Sequence, residues 1–196
     1  MNTILTKEWL HLCLVMLVFS EVSSQSCTSL REQLSTTNKN NLELLKSKMR
    51  TNLPLQCLSD MSDFMANQEI LKEIQRSLEE NPKVAIHEIF QQIIRIFNQN
   101  LTEMAWDENS LAVFKARLHQ QIQHLGTCLS AEIENDILSP RGQIIQFTRL
   151  RVKRYFQRID NFLKEIQHSL CTWGIVQMEV KQCLLLVDQL TNRIQN

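Results

Sequence analysis

The residues best equipped for chemistry in this chain are few, and none forms a complete set. His87-Glu88-Ile89-Phe90-Gln91 places an imidazole and a carboxylate in the register of a zinc-protease HExxH helix. In that motif two imidazoles four residues apart bind the metal and the glutamate activates water. Gln91 stands where the second imidazole belongs, so the pair reads as an ordinary exposed helical pair. No GxSxG nucleophile elbow occurs, and the remaining His and Asp residues place no base beside a nucleophile. With 3 glycines in 196 residues, phosphate-cradling loops and dinucleotide fingerprints are excluded as well. The chain is expected to be no enzyme and to hold neither metal nor cofactor.

Other reactive side chains point to the compartment. Residues 1–24 read as a secretory signal: Lys7 precedes an apolar run from Leu10 to Phe19, and the small residues Val22-Ser23-Ser24 suit cleavage before Gln25, with a cut before Cys27 as the alternative. Residues 25–196 are then expected to form one secreted domain with no membrane insertion, since no later window is apolar enough to span a bilayer. Cleavage removes Cys13 and leaves Cys27, Cys57, Cys128, Cys171 and Cys183, an odd set in an oxidising compartment. Spacing excludes one pairing. Cys171 and Cys183 fall on one predicted helix about 18 Å apart, beyond the ~7 Å a disulfide tolerates between Cα atoms. Asn100-Leu101-Thr102 is an N-glycosylation sequon in a predicted interhelical loop, and Asn100 is expected to carry glycan.

The elements that position these residues are helices. Gly and Pro together number 6, against roughly 23 at average usage, too few to turn the strands of a β-rich fold. The last helix carries Trp173, Val176, Val180, Cys183, Val187, Leu190 and Ile194 at alternating spacings of three and four, an unbroken bundle stripe. The helix before it opens at Pro140-Arg141-Gly142 and carries Ile145, Thr148, Val152, Tyr155, Ile159, Phe162 and Ile166. Asn81-Pro82 opens another, with Ile86, Ile89 or Phe90, Ile93 and Phe97. Residues 109–133 present Leu111, Phe114, Leu118, Ile122, Leu125 and Leu129, and residues 28–49 present Leu30, Leu34, Leu42, Leu45 and Met49, with polar Asn38 in the stripe. Residues 50–80 form a long first connection, with a short helix expected at 68–78. Such a connection lets a bundle run up-up-down-down.

Charge narrows the partners. Twenty-one basic and 21 acidic residues cancel, which argues against nucleic acid. The cluster Arg149, Arg151, Lys153, Arg154 and Arg158 reads as a solvated helix face or a protein-contact patch. Its stretch 151–154 resembles a processing-protease site, but lies within a predicted helix and is read as uncut.

Several stretches resemble the type I interferons: Cys57-Leu58, His87 to Ile93, Ala105-Trp106-Asp107-Glu108, KRYFQRIDNFLKE at 153–165, and above all Cys171 to Val180. Within that family, Asn161 to Glu165 and the extra Cys183 are similar to the kappa branch, while the sequon loop and Leu118 to Gln121 look more like the epsilon or beta branches. The resemblance implies an all-α, up-up-down-down cytokine bundle of five helices. It also implies disulfides Cys27–Cys128 and Cys57–Cys171, leaving Cys183 free. Function follows as antiviral JAK-STAT signalling, triggered when a monomer bridges the two chains of the interferon alpha/beta receptor. On the family pattern the higher-affinity chain meets Leu58, Met61, Gln177, Met178, Lys181, Gln182 and Leu185. The second chain meets His87, Glu88, Gln91, Arg95, Lys115, His119 and Lys153. Two rivals are a growth-hormone-like or interleukin-10-like cytokine for another receptor, and a secreted helical carrier with an apolar cavity.

Overall fold

The computed structural model describes residues 27–49, 57, 75, 78–99, 106–133, 139–165 and 170–194. The proposed signal segment, the Asn100 sequon, Leu58, Met61 and most of the short helix expected at 68–78 lie outside the described residues. Among the described residues five helices follow in order: α1 (Leu30–Ser47), α2 (Pro82–Phe97), α3 (Glu108–Ile133), α4 (Pro140–Glu165) and α5 (Leu170–Asn192). Among the described residues there is no strand.

Local chemistry explains where the helices begin. At α2, Pro82 occupies the first turn, where its missing N–H costs nothing. The expected cap residue Asn81 contributes its backbone carbonyl to Ala85 (3.0 Å), but no side-chain cap bond. The start of α3 is capped by Asp107, whose Oδ2 accepts the Ser110 N–H at 2.9 Å and the Ser110 hydroxyl at 2.5 Å. These two bonds hold its carboxyl below its ordinary range. At α4, Ser139 Oγ accepts the Gly142 N–H at 3.2 Å, with Pro140 following in the first turn.

The bundle's directions can be read from side-chain pairs. Asn38 on α1 meets Leu184 on α5, and Gln177 meets Leu45 and Met49, so α1 and α5 are antiparallel. Gln121 meets Thr37, and Cys128 is bonded to Cys27, so α1 and α3 are antiparallel. Lys115 reaches the Phe97 carbonyl at 3.3 Å, while a Cβ added at Gly126 would lie 3.6 Å from the His87 ring, so α2 and α3 are antiparallel too. Helices α1 and α2 therefore run up and α3 and α5 down. The added helix α4 runs parallel to α2, with Lys153 beside Glu88 and Asp160 beside Arg95.

Core burial follows the sequence stripes. All seven stripe residues of α5 are buried, as are Phe114, Leu118, Leu125 and Leu129 of α3, with Leu111 and Ile122 half-buried. Along α4 the buried face drifts from Ile145, Thr148 and Val152 to Phe156, Ile159 and Leu163, leaving Phe162 half-buried. The drift reflects a helix period of 3.6, which a strict three-four pattern does not track over many turns.

Both expected disulfides are formed, with Cα atoms 5.7 Å apart for Cys27–Cys128 and 5.3 Å apart for Cys57–Cys171. They span sequence separations of 101 and 114 residues. In the chain-entropy account each could contribute up to about 5 kcal/mol. Cys183 is free and buried. Its thiol lies 3.8 Å from the Tyr155 hydroxyl, which donates to the buried Glu179 carboxylate. Burial, then the Glu179 carboxylate, push the Cys183 thiol upward, so it stays protonated and unreactive.

The disulfide and the free thiol should respond differently to deletion. Cys57→Ser opens a bridge between the first connection and α5 and should cost several kcal/mol, whereas Cys183→Ala leaves a small cavity worth about 1 kcal/mol. Urea unfolding of the two variants checks this; equal losses would contradict it.

Candidate functional site

The outward side of α5 is set by the same periodicity that sets its core. With 176, 180 and 183 inward, 178, 182, 185 and 189 must face away. Met178 and Leu185 are 37% and 39% exposed, two large apolar side chains on one outward strip, and Gln182 beside them is exposed. Lys181 is half-exposed on the same side. The described residues of the first connection meet α5 toward its ends. Cys57 is bonded to Cys171, Gln75 donates to Gln189 at 2.9 Å, and Glu79 pairs with Arg193 at 3.1 Å. Met178 and Leu185 lie between those anchor points and are each more than a third exposed.

Gln177 is placed differently from its neighbours. It is buried, and its amide donates to the Leu45 carbonyl at 3.1 Å and to the Met49 carbonyl. Those carbonyls belong to the last turn of α1 and the residues after it, where no intrahelical donor remains. Gln177 therefore ties α1 to α5 rather than presenting a contact surface.

A second group collects where α2, α3 and α4 meet. Gln91 and Arg95 are exposed on α2, His119 on α3 and Lys153 on α4, while His87 and Lys115 are half-buried. Arg95 is held by Asp160 of α4 at 2.6 Å, and the other Asp160 oxygen accepts from Gln99 at 2.8 Å. Glu88 is buried, unlike the exposed helical pair expected from the sequence. Its carboxylate accepts from Gln92 at 2.7 Å and faces Lys153 Nζ at 3.9 Å. The carboxylate that resembled a metalloprotease base is thus engaged in joining α2 to α4. Burial, then the charge of Arg149, hold the His87 imidazole below its ordinary value of 6.5, opposed by Glu88 and a hydrogen bond with the Ile122 backbone.

The basic cluster divides across α4. Arg151, Lys153 and Arg154 are exposed, while Arg149 and Arg158 are half-buried, the latter with its guanidinium 5.5 Å from the Tyr155 ring centre. Sequence patterning overlooked three neighbours. Ile144, Phe147 and Leu150 are 40%, 60% and 43% exposed. The available signal was that all three are large and apolar, yet fall outside the inward stripe of Ile145, Thr148 and Val152.

The family profile described as the interferon alpha/beta domain matches residues 30–194. The chain is 35% identical to human interferon omega-1 over 183 residues, covering 93% of this chain and 91% of that protein. It is 32% identical to human interferon kappa over 186 residues, covering 90% and 88%. Among solved structures, zebrafish interferon 1 superposes with a TM-score of 0.58 at 20% identity, covering 83% of this chain and 98% of that one, a likeness of fold.

The environment of His87 generates a pH dependence. Its folded value is depressed, so the unfolded chain binds a proton that the folded site resists, and stability should fall as pH drops below 6.5. His87→Gln should flatten that acid arm, measured as urea midpoints between neutral pH and the folded titration. An acid arm of undiminished size in the variant would assign the effect to other groups.

Proposed function

This chain belongs to the interferon alpha/beta family, whose members are secreted antiviral cytokines rather than enzymes, and from that premise we propose that it signals by bridging the two chains of the interferon receptor. The mechanism requires no bond chemistry. Each receptor chain binds a separate face of one monomer, and holding the two chains together is the signal. We assign the higher-affinity chain to Leu58, Met61, Met178, Lys181, Gln182 and Leu185, with Gln177 holding that face in shape from behind. The second chain takes His87, Gln91, Arg95, Lys115, His119 and Lys153, with Glu88 in the same supporting role.

The observation that carries this reading is the exposure of Met178 and Leu185 on a helix whose opposite side is wholly core. Exposed apolar side chains grouped beside polar ones favour a partner contact, whose energy then concentrates in a few residues. A typical contact covers about 800 Å² on each side. Among the residues assigned to this face Lys181 is the single cation, so shape and burial matter more to it than electrostatic steering. JAK-STAT signalling, secretion after removal of residues 1–24, glycosylation at Asn100 and action as a monomer complete the proposal.

The decisive experiment adds the refolded, disulfide-bonded mature chain to cells of the matched species and measures interferon-stimulated transcription. A response that disappears when either receptor chain is deleted is expected. Silence at micromolar dose, or signalling that survives the deletion as a different helical cytokine's would, overturns the proposal. At residue level, alanine at both Met178 and Leu185 should reduce affinity for the higher-affinity chain by about 2 kcal/mol or more with an unchanged melting temperature. Early melting of that double variant would move the pair into the core instead.

A further inference from the structure

The exposed side of α4 is divided along its length. Its amino-terminal half presents Ile144, Phe147 and Leu150, three residues apart and so on neighbouring turns of one side. Its middle presents Arg154 on that side, with Lys153 at the edge toward α2 and Arg151 at the opposite edge. Phe147 is the most exposed large apolar side chain among the described residues. It lines a groove of about 600 Å³ with Leu150, Gln143, Gln146 and Lys153.

This groove is continuous with the polar face already described. Lys153 belongs to both and stands 3.9 Å from Glu88 on α2. Arg149, on the groove's inner edge, lies close enough to His87 for its charge to act on the imidazole. The polar face itself (His87, Gln91, Arg95, Lys115, His119 and Lys153) offers hydrogen bonds and charge, but no large apolar side chain to be desolvated. Protein contacts draw most of their energy from such a side chain at the centre, with the polar groups around it supplying orientation. Between Asp136 and Asp160 the chain has no acidic residue, so a partner resting on α4 must bring the carboxylates.

We propose that Phe147, flanked by Leu150 and Ile144, is the apolar centre of the contact with the second receptor chain, and that Arg151, Lys153 and Arg154 meet acidic side chains of that chain. The inference rests on the two-chain reading above and names the residues that supply its binding energy. It extends the second face from the α2–α3–α4 seam onto the amino-terminal half of α4, so that each receptor face has its own apolar anchor: Met178 and Leu185 on one, Phe147 and Leu150 on the other.

Purified ectodomains of the two receptor chains, immobilised separately, test it against the full mature protein. Phe147→Ser should weaken binding to the second chain about tenfold or more while leaving the higher-affinity chain within about twofold. Phe147→Ser with Leu150→Ser should deepen that loss with little change in melting temperature, because neither side chain belongs to the buried core. Val113→Ser removes an exposed apolar residue of α3 outside the groove and should change neither affinity. Arg151→Glu with Arg154→Glu should slow association with the second chain and reduce its salt dependence. Wild-type affinity of the Phe147/Leu150 double variant for the second chain overturns the inference. So does equal loss of both chains, which would mark the patch as structural. If the unaltered protein binds neither ectodomain, the two-chain reading fails first, and this inference falls with it.

Discussion

The rest of the structure depends on covering α2. Eleven of its sixteen residues are buried, including Ala85, Ile86, Ile89, Phe90, Ile93, Ile96 and Phe97, so its apolar surface is far wider than one stripe. A helix apolar over that much of its circumference cannot lie at a surface without exposing several large side chains to water. It is stable only when other helices enclose it, and α3, α4 and α5 do so. Phe97 shows the fit at its end, with ring centres 5.1 Å from Trp106 and 5.4 Å from Phe114. This enclosure explains why a fifth helix is present. A four-helix arrangement of α1, α2, α3 and α5 would leave the α4 side of α2 open.

Enclosure also accounts for the location of the polar residues of α2. With most of the helix buried, its charged and polar groups are confined to a narrow edge at the seam with α3 and α4. There Glu88 is paired with Lys153 and Gln92, and Arg95 with Asp160. The seam thus becomes a polar strip with fixed side chains. A different arrangement holds on α5, which packs against α1, α2 and α4 and leaves a mixed apolar and polar strip facing outward. Two dissimilar faces therefore follow from how deeply each helix is buried.

Directional interactions within the core then select one register among the many that apolar packing would tolerate. Asn38 donates to the Leu184 carbonyl at 2.7 Å, Gln177 holds the end of α1, and the Tyr155 hydroxyl donates to Glu179. Buried polar groups are costly when unpaired, so a helix shifted by one turn would lose these bonds and be disfavoured. The disulfides act at a coarser scale. Cys27–Cys128 ties the start of α1 to the end of α3, and Cys57–Cys171 brings the first connection to the start of α5.

The sequence by itself determined the helical class, most of the inward residues of each helix and the outward position of Met178 and Leu185. Each follows from a period of 3.6 residues acting on strongly contrasting side chains, which is local information. Family likeness in the stretches around Cys57 and Cys171 added the disulfide pairing, which spacing left open. What only the tertiary structure decided is the fate of polar residues inside helices. Gln177, Glu88 and Asn38 read from composition as surface groups or as a flaw in a stripe, yet all three are buried. Whether such a side chain meets solvent or a carbonyl depends on a partner more than 60 residues away in the chain, at Leu45 for Gln177, Lys153 for Glu88 and Leu184 for Asn38. The exposed Phe147 is the converse case. It lies outside the inward stripe and is 60% exposed, and a single helix's periodicity carries no record of which neighbours will cover its other sides.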